Sequence, residues 1–290
     1  MKQNELSLSQ EWLLELGLIK DNDNFVHLSR HISVLHTCDV IIDTLQQKKL
    51  NPFRLGSLKV ISAFYFAHTY HQALSIYHLS KLGLGASGLV LVRSIIESLI
   101  NLSYLWQCKS INNTEEERKA WMDYMHVSRH KMENAWDNMQ KHRRSKQLDL
   151  GSPEYLFSEK VSSNLSNEYK QFKLKYKRES WAIFSKIEQR ARKVDDLNVM
   201  SGIILEEVYH SCYRWTSEFV HGVSGSSNSY FKEVEQGLII DFGANFRDVD
   251  IVLPMASRML IHMASIINHL YYLNIDLSKQ FEKSGIHLNN

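Results

Sequence analysis

Glycine and proline are scarce in this chain. Its 290 residues include 12 Gly and 3 Pro, together about 5% where globular proteins average roughly 12%. Turn-rich sandwiches, propellers and Gly-loop nucleotide folds need more of both, so those classes are excluded. No self-similarity at a solenoid period is visible either. Cysteine is as sparse: Cys38, Cys108 and Cys212 are odd in number and far apart. They form neither a disulfide framework nor a C-x-x-C metal knuckle, and a reducing compartment suits them. The opening MKQNELSLSQEW has no basic start followed by an apolar run, so no signal peptide is indicated. No run of about 18 consecutive apolar residues occurs. A cytoplasmic protein without a membrane partner is expected.

What is present is helical periodicity. Hydrophobic residues make up 44% and charged ones 23%, enough for a large core without disulfide or metal staples. Val26, Ile32, Leu35, Val40, Ile41 and Leu45 predict a helix from Val26 to Lys49, ended by Asn51-Pro52. A second helix is expected from Arg54 to Leu82, closed by Gly83 and Gly85. A third, strongly apolar, follows from Ala86 or Ser87 to Cys108. Asn112-Asn113-Thr114 before three glutamates is a start signal for a fourth, reaching Lys146. A charged helix is read over Asn164 to Lys193 and a sixth over Met200 to His221, before the Gly/Ser loop GVSGSSNS. Residues 230–242 alternate, predicting a small hairpin that turns at Glu235-Gln236-Gly237. Pro254 is placed near the first turn of a last helix ending at Leu273. The expected fold is all-α, a bundle of six or seven helices with one small hairpin. Residues 1–50 would supply N-terminal helices and 51–290 the bundle proper.

Net charge is +2, but it is unevenly spread. Residues 141–193 hold 14 Lys and Arg against 6 Asp and Glu. Arg143, Arg144, Lys173, Lys175, Lys177 and Arg178 are candidate contacts to an RNA backbone. Phe172, Tyr176 and Trp181 are interleaved with them and, if exposed, would stack on bases. The alternative is a solvated helix face whose aromatics point into the core.

Two constellations could carry chemistry. Arg93 and Glu97 stand four apart in the most apolar helix, on one face. They are either a structural pair locking helix packing or a polar floor beneath a site. Arg214 and His221 are seven apart, about two turns, with Ser217 and Glu218 between them on the same side. A His beside a flexible loop is accessible and titrates near neutral pH. An Arg two turns away can hold a phosphate oxygen. Metal-independent RNA cleavage needs that combination. The alternative is a helix-end His favoured by the dipole, with an Arg214–Glu218 surface pair.

The string YRWTSEFVHG, with Arg and His separated by six residues, resembles the signature of the HEPN superfamily (higher eukaryotes and prokaryotes nucleotide-binding). LVRSIIESLINLSYLW, taken with it, is similar to a bacterial helical family near that superfamily. The likeness covers residues 55–275. It implies a metal-independent endoribonuclease, a toxin or antiviral-defence effector whose site forms across a homodimer. Arg214 and His221 match the motif, as transition-state charge stabiliser and general acid or base. Ser217, Glu218, Arg93 and Glu97 would support them. Many members carry a polar residue after the Arg where this chain has Trp215, which makes Arg93 an alternative source of positive charge. RNA, tRNA included, is the implied substrate, and an antitoxin or sensor protein a further partner. A non-catalytic binding or scaffold module is the competing reading.

Histidine is abundant, with 14 residues. His68, His71 and His78 share a helix face, and the pairs His262–His269 and His126–His130 have helical spacing. Two E-x-x-H strings, Glu207 to His210 and Glu218 to His221, lie 11 residues apart on one expected helix. One subunit could not wrap them around a shared metal pair. No metal and no cofactor are expected. GLGASG, residues 83–88, lacks the Lys of a phosphate loop and is read as a helix separator. Cys212 is read as structural.

Overall fold

A computed structural model describes residues 22–48, 56–107, 114–146, 165–197, 200, 202–234, 237–240 and 246–282. The fold is all-α. Its helices are α1 (Asn22–Gln47), α2 (Ser57–Lys81), α3 (Gly85–Gln107), α4 (Thr114–Ser145), α5 (Leu165–Tyr176), α6 (Ile187–Asp196), α7 (Leu205–Val208), α8 (Arg214–His221), α9 (Val249–Leu270) and α10 (Leu277–Glu282). A π-helical turn, Tyr209–Tyr213, joins α7 to α8, and a 3-10 turn, Ser224–Ser229, follows α8. The expected hairpin is present. β1 (Phe231–Val234) pairs antiparallel with β2 (Gly237–Ile240), Phe231 opposite Ile240. It is a two-stranded ribbon beside a helical core.

The chain folds as two compact units: residues 1–107 with 187–290, and residues 108–186. The sequence reading took residues 1–50 as N-terminal helices and 51–290 as the bundle, together one continuous unit. α1 packs on α2 and α9 within the first unit.

α3 and α9 are the axis of the first unit. Leu89, Val92, Ile95, Ile96, Leu99 and Ile100 of α3 are fully buried. So are Val252, Leu253, Leu260 and Ile267 of α9. Each such side chain contributes roughly 1.5–3 kcal/mol by leaving water. α2 and α9 pack on α3, and α6 and α8 cover its remaining sides. By length and composition, Gly85–Trp106 and Val249–Leu270 would suit a bilayer, but most of each is buried inside the fold. Pro254 sits in the second turn of α9 rather than the first. Gly83 (φ 70°) ends α2 in the left-handed region. Gly85 is needed for close approach, since a Cβ there would lie 2.4 Å from the Arg247 carbonyl oxygen.

A buried polar joint ties three helices of this unit. His31 Nε2 lies 2.9 Å from the Ala73 carbonyl oxygen and Nδ1 2.7 Å from Ser257 Oγ. A carbonyl only accepts, so Nε2 carries the proton and Nδ1 accepts from the serine.

The second unit corrects the single helix expected over 164–193. α5 stops at Tyr176 because Lys177 turns left-handed (φ 53°), and helix resumes only at Ile187, in the first unit. Buried Glu117 of α4 holds the intervening stretch by accepting the Ile183 N–H at 2.7 Å. Ala120 and Val127 of α4 pack on Phe172 and Tyr176 of α5.

Candidate functional site

The polar groups of α3 and α8 meet in the first unit. The expected Arg93–Glu97 ion pair is not formed, because Tyr213 stands between the two. Arg93 Nη2 donates to the Tyr213 hydroxyl at 2.8 Å, and that hydroxyl donates to Glu97 Oε2 at 3.3 Å. The guanidinium also lies over the Tyr213 ring, 4.7 Å from its centroid. Arg93 Nε donates to Ser217 Oγ at 2.9 Å. Two of the five guanidinium N–H bonds are thereby used and three are left.

The π-helical turn makes this possible. The Arg214 N–H bonds the Tyr209 carbonyl, five residues back. The wide turn leaves carbonyls to be satisfied by side chains. Ser217 Oγ donates to the Tyr213 carbonyl at 2.7 Å. Thr216 Oγ1 donates to the Cys212 carbonyl at 2.9 Å. Ser217 therefore gives its proton to the backbone and presents its oxygen to Arg93. Tyr213 is buried, and burial, then the Glu97 charge, pushes its pKa up to about 12. Its hydroxyl keeps its proton and acts as a fixed bridge.

Arg190 of α6 lies within electrostatic reach of the bridge. It is buried, and burial pulls its pKa down while the charge of Glu97 opposes that shift. Glu97 and Tyr213 both act electrostatically on Arg190. Neither Tyr213 nor Arg190 was singled out from the sequence. Tyr213 abuts the motif but reads as an ordinary core aromatic. Arg190 reads as one more cation in a basic block.

Arg214 and His221 stand two turns apart on regular α8, and both are exposed. Among the described residues neither makes a side-chain hydrogen bond or ion pair, and no Arg214–Glu218 pair forms. Ser217 lies between them on the same side of α8, so Arg93 reaches that face from α3. Gly222 (φ 59°) caps α8, and its N–H and that of Val223 share the Glu218 carbonyl. The Glu218 carboxylate rests on Gly225, where a Cβ would come within 1.7 Å of Oε2. The face can bind an anion with fixed and mobile cations and offer an imidazole to it.

The expected RNA contacts of α5 are largely engaged elsewhere. Lys173 pairs with Glu179 at 2.6 Å, which raises the lysine pKa. Lys175 pairs with Asp123 at 2.9 Å, and Asp123 also accepts the Tyr176 hydroxyl. Arg178 donates to the carbonyls of Ser180 and Trp181. Lys177 is exposed. The side chains of Arg143 and Arg144 lie outside the described residues. Phe172 and Tyr176 are core rather than stacking platforms.

Glu188, Glu206 and His210 bring ligand atoms within 4.8 Å of one another. The glutamate here is Glu206, not Glu207 of the E-x-x-H string. Arg192 already pairs with both glutamates, 2.7 Å from Glu206 and 3.4 Å from Glu188. Two adjoining cavities, about 410 and 240 Å³, share Ile203, Ile204, Glu207 and Arg258. Cys212 lines the smaller one. Sequence periodicity gave no sign of either cavity.

The architecture defines an all-α protein whose polar bridge supports a basic face on one helix. Residues 59–238 match the model of DUF5677, a family of unknown function, and the chain belongs to that family. The match runs from α2 into the hairpin, so it contains the whole bridge. Comparison with curated proteins and with solved structures gives no match.

Proposed function

We propose that the chain is a metal-independent endoribonuclease of the HEPN kind, acting in toxin or antiviral-defence chemistry. The observation that supports this reading is the anchoring of Arg93 by Tyr213 and Ser217, which fixes a cation on the face carrying Arg214 and His221. In this reading His221 takes the ribose 2′-hydroxyl proton as that oxygen attacks the adjacent phosphorus. The bond from phosphorus to the 5′-oxygen breaks, and that oxygen takes a proton from water. The products are a 2′,3′-cyclic phosphate and a 5′-hydroxyl. Arg93 and Arg214 stabilise the charge that builds on the phosphate oxygens. Glu97 touches no substrate and positions Arg93 through Tyr213.

The test is incubation of the full chain with total RNA and tRNA in EDTA, beside His221→Ala and Arg93→Gln. Cleavage by wild type alone, leaving cyclic-phosphate ends, is expected. Equal cleavage by His221→Ala, or none by wild type, refutes the assignment. A second reading, a helical module that binds without cutting, is favoured by the two guanidinium bonds that Arg93 already spends on protein. Retention of RNA without cleavage distinguishes that module.

A further inference from the structure

The two adjoining cavities of the first unit use none of the groups in the Arg93 bridge. The smaller, about 240 Å³, is walled chiefly by apolar side chains: Ile96, Val208, Pro254, Met255 and Met259. An apolar cavity of about 150 Å³ can admit benzene. This chamber therefore has room for an isobutyl, thioether or phenyl side chain. The larger, about 410 Å³, adds Asp195, Met200 and Gly202 to the shared residues. It falls in the range of about 300–1,000 Å³ found for small-molecule sites.

Charge defines the ligand. Glu207 of α7 and Arg258 of α9 line both cavities, and both are exposed, so solutes can reach them. Among the described residues, neither closes an ion pair with the other or with any further side chain. Arg258 Nη2 donates to the Gly202 carbonyl at 3.1 Å. That bond anchors the guanidinium at the cavity wall and leaves four of its N–H groups. The Asp195 carboxylate is already spent, its two oxygens accepting the Leu205 and Glu206 N–H groups. One carboxylate and one guanidinium remain, facing space shared by a polar chamber and an apolar one. A simple anion would meet Glu207, and a simple cation would meet Arg258. A molecule that carries both charges on one carbon satisfies the two at once, and the planar guanidinium suits its carboxylate. We propose that this double cavity binds a free α-amino acid with an apolar side chain. Its carboxylate lies on Arg258, its ammonium on Glu207 and its side chain in the smaller chamber. The proposal does not depend on the ribonuclease reading.

Isothermal titration calorimetry of the full chain with L-leucine, L-methionine and L-phenylalanine, each to about 10 mM, tests it. Binding of at least one, with a Kd between about 1 µM and 1 mM, is expected. For the tightest binder, the N-acetyl derivative lacks the ammonium and the amide lacks the carboxylate. Each should bind about tenfold more weakly or worse. Glu207→Gln should weaken the free amino acid by a similar factor and abolish its advantage over the N-acetyl derivative. Arg258→Gln should do the same with respect to the amide. Circular dichroism should show unchanged helix content in both variants. Cys212 lines the smaller chamber and supplies a second readout. The bound amino acid should slow its alkylation by iodoacetamide, followed by the mass of the peptide that carries it. Absence of binding by all three amino acids overturns the proposal. So does binding insensitive to both substitutions, or a derivative that binds as tightly as the free amino acid. Hexanoate binding as tightly would assign the site to a simple carboxylic acid and also overturn it. Unchanged alkylation of Cys212 overturns the placement of the side chain.

Discussion

At the scale of single residues, one hydroxyl decides how the candidate site is wired. Tyr213 receives a proton from Arg93 and gives its own to Glu97. The pair that sequence spacing suggested is therefore a triad. Tyr213→Phe keeps the ring and removes both bonds. Stranding two half-buried charged groups costs on the order of 1–3 kcal/mol. Urea denaturation should show that loss, and a cost under about 0.5 kcal/mol would mean that the hydroxyl holds nothing. The same variant bears on the proposed activity. Arg93 would still reach Ser217 but lose its second anchor, so turnover should fall more than RNA affinity. The basic residues teach the converse lesson. A lysine counted as a phosphate contact from its charge can already be spent within the fold, as Lys173 and Lys175 are.

At the scale of elements, the helices need the caps and clearances that neighbours provide. α7 starts without a capping side chain of its own. Asp195, near the end of α6, supplies it: its two carboxylate oxygens accept the N–H groups of Leu205 and Glu206 at 2.9 and 2.6 Å. Asp195→Ala should cost about 0.5–2 kcal/mol. Because the π-turn and α8 continue from α7, amide exchange should quicken first over residues 205–213. Unchanged exchange there would assign the cap no role. Gly85 sets a clearance at the start of α3. Its missing Cβ admits the backbone at Arg247 and Val249. A backbone neighbour cannot swing aside as a side-chain tip can, so Gly85→Ala should destabilise by about 1–3 kcal/mol. A thermal midpoint equal to wild type would contradict that close approach.

At the scale of the whole molecule, one buried and one half-buried histidine make stability depend on acid. Burial lowers the pKa of both His31 and His262 from 6.5 to about 4, and Arg258 adds to the shift at His262. The folded state keeps them neutral where the unfolded chain binds protons. Their stabilising contribution is complete above pH 6.5 and is lost as pH falls toward 4. Each pH unit between the folded and unfolded values is worth about 1.4 kcal/mol, so the two together are worth at most about 7 kcal/mol. Thermal melts at several pH values across that window should show a falling midpoint, and His262→Leu should flatten the fall. A midpoint constant with pH would refute the assignment.

Much of this architecture was legible in the sequence. Helical spacing marked α1 to α4 within a few residues, and the alternation at 230–242 marked the hairpin. Both signals are local, set by backbone period and by breakers such as Pro52 and Gly83. Arg214 and His221 were legible as one stripe for the same reason, since seven residues return to one face of a helix. The break at Lys177, the π-turn and the Tyr213 bridge were not. Each exists because a distant segment rewards it: Glu117 accepts the Ile183 N–H across the second unit, and Glu97 and Arg93 of α3 meet Tyr213. Sequence alone determined the all-α class and placed its candidate polar residues. Only the tertiary structure decided which charges are spent inside the fold and which stay exposed, because a charge has no partner until chain segments far apart in sequence are packed together.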